Sequence, residues 1–296
     1  MRDQRSYQHT KEDNKVRDID VSQIEDAVEQ LCIDACCFLP DDVRRAIERA
    51  RDEEESELCR SILGDVLRNA DIAAEEEIPI CQDTGVAVFF IEVGQNVHIT
   101  GGLLEDAVNA GVSRGYTNGY LRKSVLSDSL IDRINTGDNT PAVINVRLVA
   151  GDKLTITIAP KGAGSENMSA LGMLKPAQGM NGVKRFIVDS VVSAGANPCP
   201  PVIVGVGIGG TIEKTTLMAK HSLLRDVDEP NPDPRVAAFE KEILDEINRS
   251  GIGAQGFGGT VTALAVHIET YPCHMASLPV AVNLQCHAAR HKTVVL

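Results

Sequence analysis

Apolar positions between residues 21 and 74 recur every three to four places, the period of helices with one buried face. Ile24, Val28, Leu31 and Cys32 form the first stripe. Pro40-Asp41-Asp42 interrupts it and supplies the start signals of a second helix, with Val43, Ala46 and Ile47 on its apolar face. Leu58, Ile62, Leu63, Val66 and Leu67 predict a third. After Gly85 the period changes. Residues 86–93 are a continuous apolar run, the signature of a strand buried on both faces. The runs 143–149 and 154–158 flank Ala150-Gly151-Asp152-Lys153 and predict a hairpin. Further on, 182–196 and 234–248 read as helices, and 202–206, 261–268 and 280–284 as strands. The pattern predicts a mixed α/β fold: a flexible polar tail at 1–20, then one domain at 21–296. Within that domain a helical portion (21–78) lies on a mixed-sheet body (79–296).

Composition narrows the function classes. With 296 residues and 43% apolar content, the chain can bury a sizeable core. Its 42 acidic and 29 basic residues give a net charge of −13, which argues against nucleic acid or an anionic membrane as partner. Tryptophan is absent and aromatics are 3%, so stacking platforms for single strands are not expected. No stretch is apolar enough to span a bilayer, and the N-terminus lacks the apolar core of a signal peptide. Eight irregularly spaced cysteines do not resemble a secreted disulfide framework, which points to the reducing cytoplasm. The negative charge also means that an anionic substrate would need a local cationic site.

Three cysteines stand at the edges of predicted strands. Cys81 opens Cys81-Gln82-Asp83-Thr84-Gly85, Cys199 lies in Asn197-Pro198-Cys199-Pro200-Pro201, and Cys286 ends the run from Leu278 to Gln285. Buried packing thiols are the ordinary alternative. Three thiolates from distant parts of a chain can also hold an iron–sulfur cluster with one iron left free as a Lewis acid. Cys32, Cys36 and Cys59 fall on predicted helices and read as packing residues, as does Cys273.

These segments, with Lys161-Gly162-Ala163-Gly164-Ser165-Glu166-Asn167, Gly205-Val206-Gly207-Ile208-Gly209-Gly210 and the stretch from His274 to Cys286, occur in an order that resembles the iron–sulfur-dependent class I fumarases, specifically the alpha subunit or N-terminal domain. The resemblance runs from about Val28 onward and extends to tartrate dehydratase alpha subunits. It implies a [4Fe–4S] cluster on Cys81, Cys199 and Cys286, and reversible hydration of fumarate to malate, with tartrate or mesaconate as alternative substrates. It implies substrate contacts from Gln82, Asp83, Arg122, Gly164 and His274, with Asp83 and His274 as catalytic candidates. Arg122 is preferred over Lys123 because a guanidinium forks a carboxylate. His287 is expected to stand behind Cys286. The complete enzymes of this class carry a second unit, so a separate beta subunit, a higher hetero-oligomer and a general base in the partner are implied.

The rival classes are a dinucleotide-dependent oxidoreductase and a non-catalytic scaffold subunit with a structural cluster. Gly205 to Gly210 satisfies G-x-G-x-x-G after an apolar run. The strand that should follow its helix is interrupted by the proline-rich 229–234 segment, and Gly251 to Gly256 matches the same pattern after a helix.

Overall fold

A computed structural model of the chain describes residues 16–296; most of the expected tail, 1–15, lies outside them. The end of that tail is not loose. Arg17–Asp20 forms β1, paired in parallel with β3 (Val97–Thr100). Asp20 then caps α1 (Val21–Cys37), its side chain accepting from Ser22 N at 2.9 Å while Gln23 Oε1 accepts from Asp20 N.

The three predicted helices form, but they serve two different cores. α1 packs with α4 (Leu104–Asn118) over a sheet that contains β2 (Val88–Gly94), β4 (Val143–Val149), β5 (Leu154–Ile158) and β10 (Lys292–Val295). Ile24, Val28, Val108, Val112, Phe89, Ile91 and Ile156 fill that interface. α2 (Asp41–Glu53) and α3 (Glu57–Glu76) instead bury Val43, Ile47, Leu63 and Leu67 against Ile203 and Ala265 of a second sheet.

The expected hairpin at 143–158 is absent. The first sheet has the order β10-β5-β2-β4, so β2 lies between the two strands, parallel to β4 and antiparallel to β5. The turn at 150–153 passes over the end of β2, where Gly94 N donates to Lys153 O and Gln95 N to Val149 O. Alternation fixed the buried face of β5, through Leu154, Ile156 and Ile158, but β4 is largely exposed, and the pattern left each strand's neighbour open.

The second sheet has the order β6-β9-β7-β8, made of β6 (Ala170–Leu174), β7 (Val202–Gly209), β8 (Ala263–Tyr271) and β9 (Leu278–Gln285). α6 (Gly179–Ala194) and α8 (Pro234–Asn248) cover one face, burying Ile187, Ile243 and Ile247 against Val204, Val282 and Leu284. α7 (Ile212–His221) covers the other and touches the first sheet through His221, whose ring meets Phe90 edge-on at 5.1 Å. The glycine pattern at 205–210 is explained here. A Cβ at Gly205 would lie 2.1 Å from Ala219 O, and one at Gly207 2.1 Å from Thr215 O. Gly205 and Gly207 sit inside the strand and let α7 press on it; they form no phosphate-binding turn.

Candidate active site

β7 starts where β9 ends: Ile203 is paired with Gln285. This register places the loop carrying Cys199, which precedes β7, beside Cys286, which follows β9. His287 ties the two together. Its backbone N donates to Cys199 O at 3.4 Å, and its ring Nδ1 lies 3.0 Å from the same oxygen. Partial burial of the ring holds its pKa below the ordinary value. Gln255 braces the same loop: its Nε2 donates to Pro200 O at 2.8 Å and lies 3.1 Å from His287 Nδ1.

The first half of the chain brings Cys81 to the same place. Ile80 and Ala288 share a small apolar cluster against which Cys286 packs. Arg290 Nη2 donates to Asp83 O at 2.9 Å. Asp83 closes the turn through Oδ1, which accepts from Gly85 N at 3.1 Å, and reaches the 161–167 segment through Oδ2, which accepts from Ala163 N at 2.8 Å. A backbone bridge from Val86 to Lys161 fixes the same approach. Gly164 in turn lies beside the Cys199 loop, since a Cβ built on it would be 3.4 Å from Asn197 O. Four segments far apart in sequence therefore meet at one end of the second sheet. In place of a helix from Met168, a single turn at Ala163–Glu166 (α5) leads into β6.

Cys81 and Cys286 are partly exposed and Cys199 is exposed, whereas Cys32, Cys36, Cys37 and Cys59 are buried. Burial pushes Cys36 up to about 12, as befits an inert core thiol. Cys273 departs from expectation: it is exposed rather than packed. Gln82 is beside Cys81, whose thiol donates to Gln82 Oε1 at 3.2 Å. Arg122 is exposed, and its backbone O accepts from Thr84 Oγ1 at 3.1 Å. Its guanidinium pairs with no carboxylate among the described residues.

His274 is placed elsewhere. It lies in the connection between β8 and β9, at the end of the sheet opposite Cys286. The eight-residue strand β9 separates them, roughly 23 Å of extended chain. The imidazole is exposed, and Nδ1 accepts from Ala276 N at 3.1 Å.

Sequence reasoning passed over the cations of the site. A cleft of about 450 Å³ is lined by Asp83, Ser124, Lys161, Glu166, Asn167 and Lys220, among others. Lys161 is buried, donates to Ser165 Oγ at 2.7 Å, and is lowered to about 8, chiefly by burial. Glu166 bridges Lys161 and Lys220 and accepts from Asn283 Nδ2 at 2.9 Å. With Arg290, which donates to Asp83 O, these residues place positive charge locally in a chain of net charge −13. Lys161 stood in the motif itself. Lys220 and Arg290 carried no local signal.

Comparison with known proteins follows this layout. The chain belongs to the fumarate hydratase (Fumerase) family, whose sequence model matches residues 25–295. Among its relatives is a protein of Methanocaldococcus jannaschii named "Putative L(+)-tartrate dehydratase subunit alpha", 41% identical over 273 residues that cover 90% of this chain and 95% of the relative. The L(+)-tartrate dehydratase subunit alpha of Escherichia coli K12 is 30% identical over 262 residues, 87% of this chain and 86% of its own. That of Escherichia coli UTI89 is 31% identical over 260 residues, 86% of this chain and 85% of its own.

Proposed function

We propose that the chain is the alpha subunit of a hydro-lyase that interconverts a four-carbon hydroxydicarboxylate and its dehydrated product, with malate and fumarate as the first reading. The observation that carries this is the convergence of Cys81, Cys199 and Cys286 with the Asp83 turn, the Gly164 turn and a set of cations. Tartrate is the second reading, favoured by the names of the relatives above.

Cys81, Cys199 and Cys286 would hold a [4Fe–4S] cluster. Two observations fit the group. The thiols are the accessible ones at this end of the fold, and a buried guanidinium beside them, that of Arg290, lacks an anion. Among the described residues no three His, Cys, Asp or Glu side chains close on a single metal ion. A polynuclear group asks for a wider spacing, because each thiolate takes its own iron. When bound, the cluster supplies a Lewis-acidic iron for the hydroxyl that leaves or adds. Arg122 offers an unpaired fork for a substrate carboxylate. Lys161 and Lys220 raise the local potential felt by the second carboxylate, and the Gln82 amide stands beside the thiolate of Cys81. His274 cannot reach this site from its own chain, so its part in the reaction requires a second copy of the chain in the assembly. A separate beta subunit completes the pocket.

The test is anaerobic reconstitution with iron and sulfide, with and without the beta subunit, followed by assay of fumarate, malate, both tartrates and mesaconate. Turnover of malate and fumarate above the others supports the first reading; preferential dehydration of L(+)-tartrate selects the second. No turnover of any of them by the loaded complex would sink both. For His274, mixing inactive His274→Ala and Cys199→Ser chains should restore part of the activity, and no recovery in mixed oligomers would remove His274 from the site.

A further inference from the structure

Arg290 follows Cys286 by four residues and is 3% exposed. Nη2 donates to Asp83 O at 2.9 Å. Nε and Nη1 are buried and have no hydrogen-bond partner. No ion pair to Arg290 is formed by any described residue. Asp83 meets Arg290 through its backbone O alone, its carboxylate accepting from Gly85 N and Ala163 N. A guanidinium remains charged at any pH the protein meets. A charge held out of water and unpaired is costly, so its retention calls for an anion in the working protein.

The surroundings limit what that anion is. Besides Asp83, the titratable groups close enough for their charge to act on Arg290 include Cys36, Cys286, Cys81 and Tyr116. Cys36 is fully buried with its thiol pushed up to about 12, and burial raises the Tyr116 phenol well above its ordinary value. Both are neutral. Tyr116 also donates its hydroxyl hydrogen within the turn, to Thr84 O and Gly85 O. Cys81 and Cys286 are left, and both are partly exposed.

We propose that Arg290 is the charge-compensating positioning residue of the sulfur site: its unpartnered Nε and Nη1 supply positive charge and N–H donors to the anionic group held by Cys81, Cys199 and Cys286, while Nη2 fixes the turn that carries Cys81. This rests on the reading of those cysteines as cluster ligands. It differs from a plain structural role in sign. A strut loses stability when removed under all conditions. An uncompensated buried cation makes the empty protein less stable than an apolar replacement would, and makes the loaded one more so.

Arg290→Met and Arg290→Lys in the full chain separate the two. In the cluster-free protein, Arg290→Met should melt at or above the wild-type temperature. In the reconstituted protein it should lose cluster faster under mild chelation, and the reduction potential of the retained cluster should move to more negative values. Arg290→Lys should keep the potential near that of wild type. A cluster-free Arg290→Met chain that melts lower or fails to fold makes Arg290 a strut and overturns the inference. So does an unchanged potential with full cluster content. Wild-type chain that takes up no iron and sulfide overturns the reading of the cysteines themselves, and is seen before any variant is compared.

Discussion

The Asp83 carboxylate accepts from Ala163 N at 2.8 Å, joining the turn that carries Cys81 to the 161–167 segment. Its other oxygen accepts from Gly85 N at 3.1 Å. The side chain singled out as a catalytic candidate is thus also the clip between two segments of the site. Asp83→Asn turns an amide N–H toward Ala163 N–H or Gly85 N–H, whichever way it is oriented. If the part-buried Gly85 N–H loses its acceptor the cost is about 1–3 kcal/mol, and less if it is the exposed Ala163 N–H. Urea denaturation of the cluster-free chain should show that loss, with faster amide exchange at Ala163. Unchanged stability with lost turnover would assign Asp83 to chemistry alone.

The eight cysteines divide by accessibility. In the cluster-free native chain, alkylation should reach Cys199 and Cys273 first, then Cys81 and Cys286, and spare Cys32, Cys36, Cys37 and Cys59 until unfolding. Serine at 81, 199 or 286 should abolish cluster absorbance with little change in cluster-free stability. Cys36→Ser should keep the cluster and destabilise by about 1–3 kcal/mol, since it places a hydroxyl in the core. Full cluster content in Cys199→Ser would reject the ligand assignment.

Arg122 is exposed and pairs with no carboxylate among the described residues. Arg122→Lys keeps the charge and removes the fork. Losing one charge-assisted hydrogen bond, about 1.5–3 kcal/mol, should lower kcat/KM by about 10- to 150-fold with cluster content unchanged. Wild-type kinetics in this variant would return Arg122 to the solvated surface and leave carboxylate capture to Lys161, Lys220 or the partner.

Acid sensitivity should have a specific origin at Glu54. This buried carboxylate accepts from Ser56 N, Thr260 N and Val261 N at 2.9–3.1 Å, and so pins the segment after Gly258 to the junction of α2 and α3. Burial alone would raise its pKa, but the N–H groups outweigh it and hold the folded value below the ordinary 4.5. A lowered folded pKa contributes stability that is complete above the unfolded value and is lost as pH falls through the folded one. Glu54→Gln should therefore lower the melting temperature at pH 7 and narrow its gap to wild type below pH 4.5. A gap that stays constant down to low pH would show that the charge contributes nothing.

The sequence disclosed the helices whose apolar stripes are long and regular, and the strands that are apolar throughout. α4 escaped notice because Gly111 and Gly115 weaken its helical pattern, yet α1 requires them: a Cβ at Gly111 would lie 2.6 Å from Val28 Cβ. β1, β3 and β10 are four residues each, too short for a period to register. The three cysteines were visible because their turns are distinctive. Arg290 was not, because Ala288-Ala289-Arg290-His291-Lys292 reads as an ordinary basic stretch, and only the fold shows that the guanidinium is enclosed.

β10 completes the first sheet by pairing with β5, and it lies only six residues beyond Cys286. During synthesis both arrive together, long after β2 and β5. Until residues 286–295 have left the ribosome, β5 keeps a bare edge and the site has only two of its thiols. From the emergence of β5 until then, a nascent chain therefore carries an unpaired strand edge and an unfinished cysteine set. The proposed cluster can be completed only once Cys286 has emerged, and whatever guards the chain in that interval must cover the strand edge and the thiols at once.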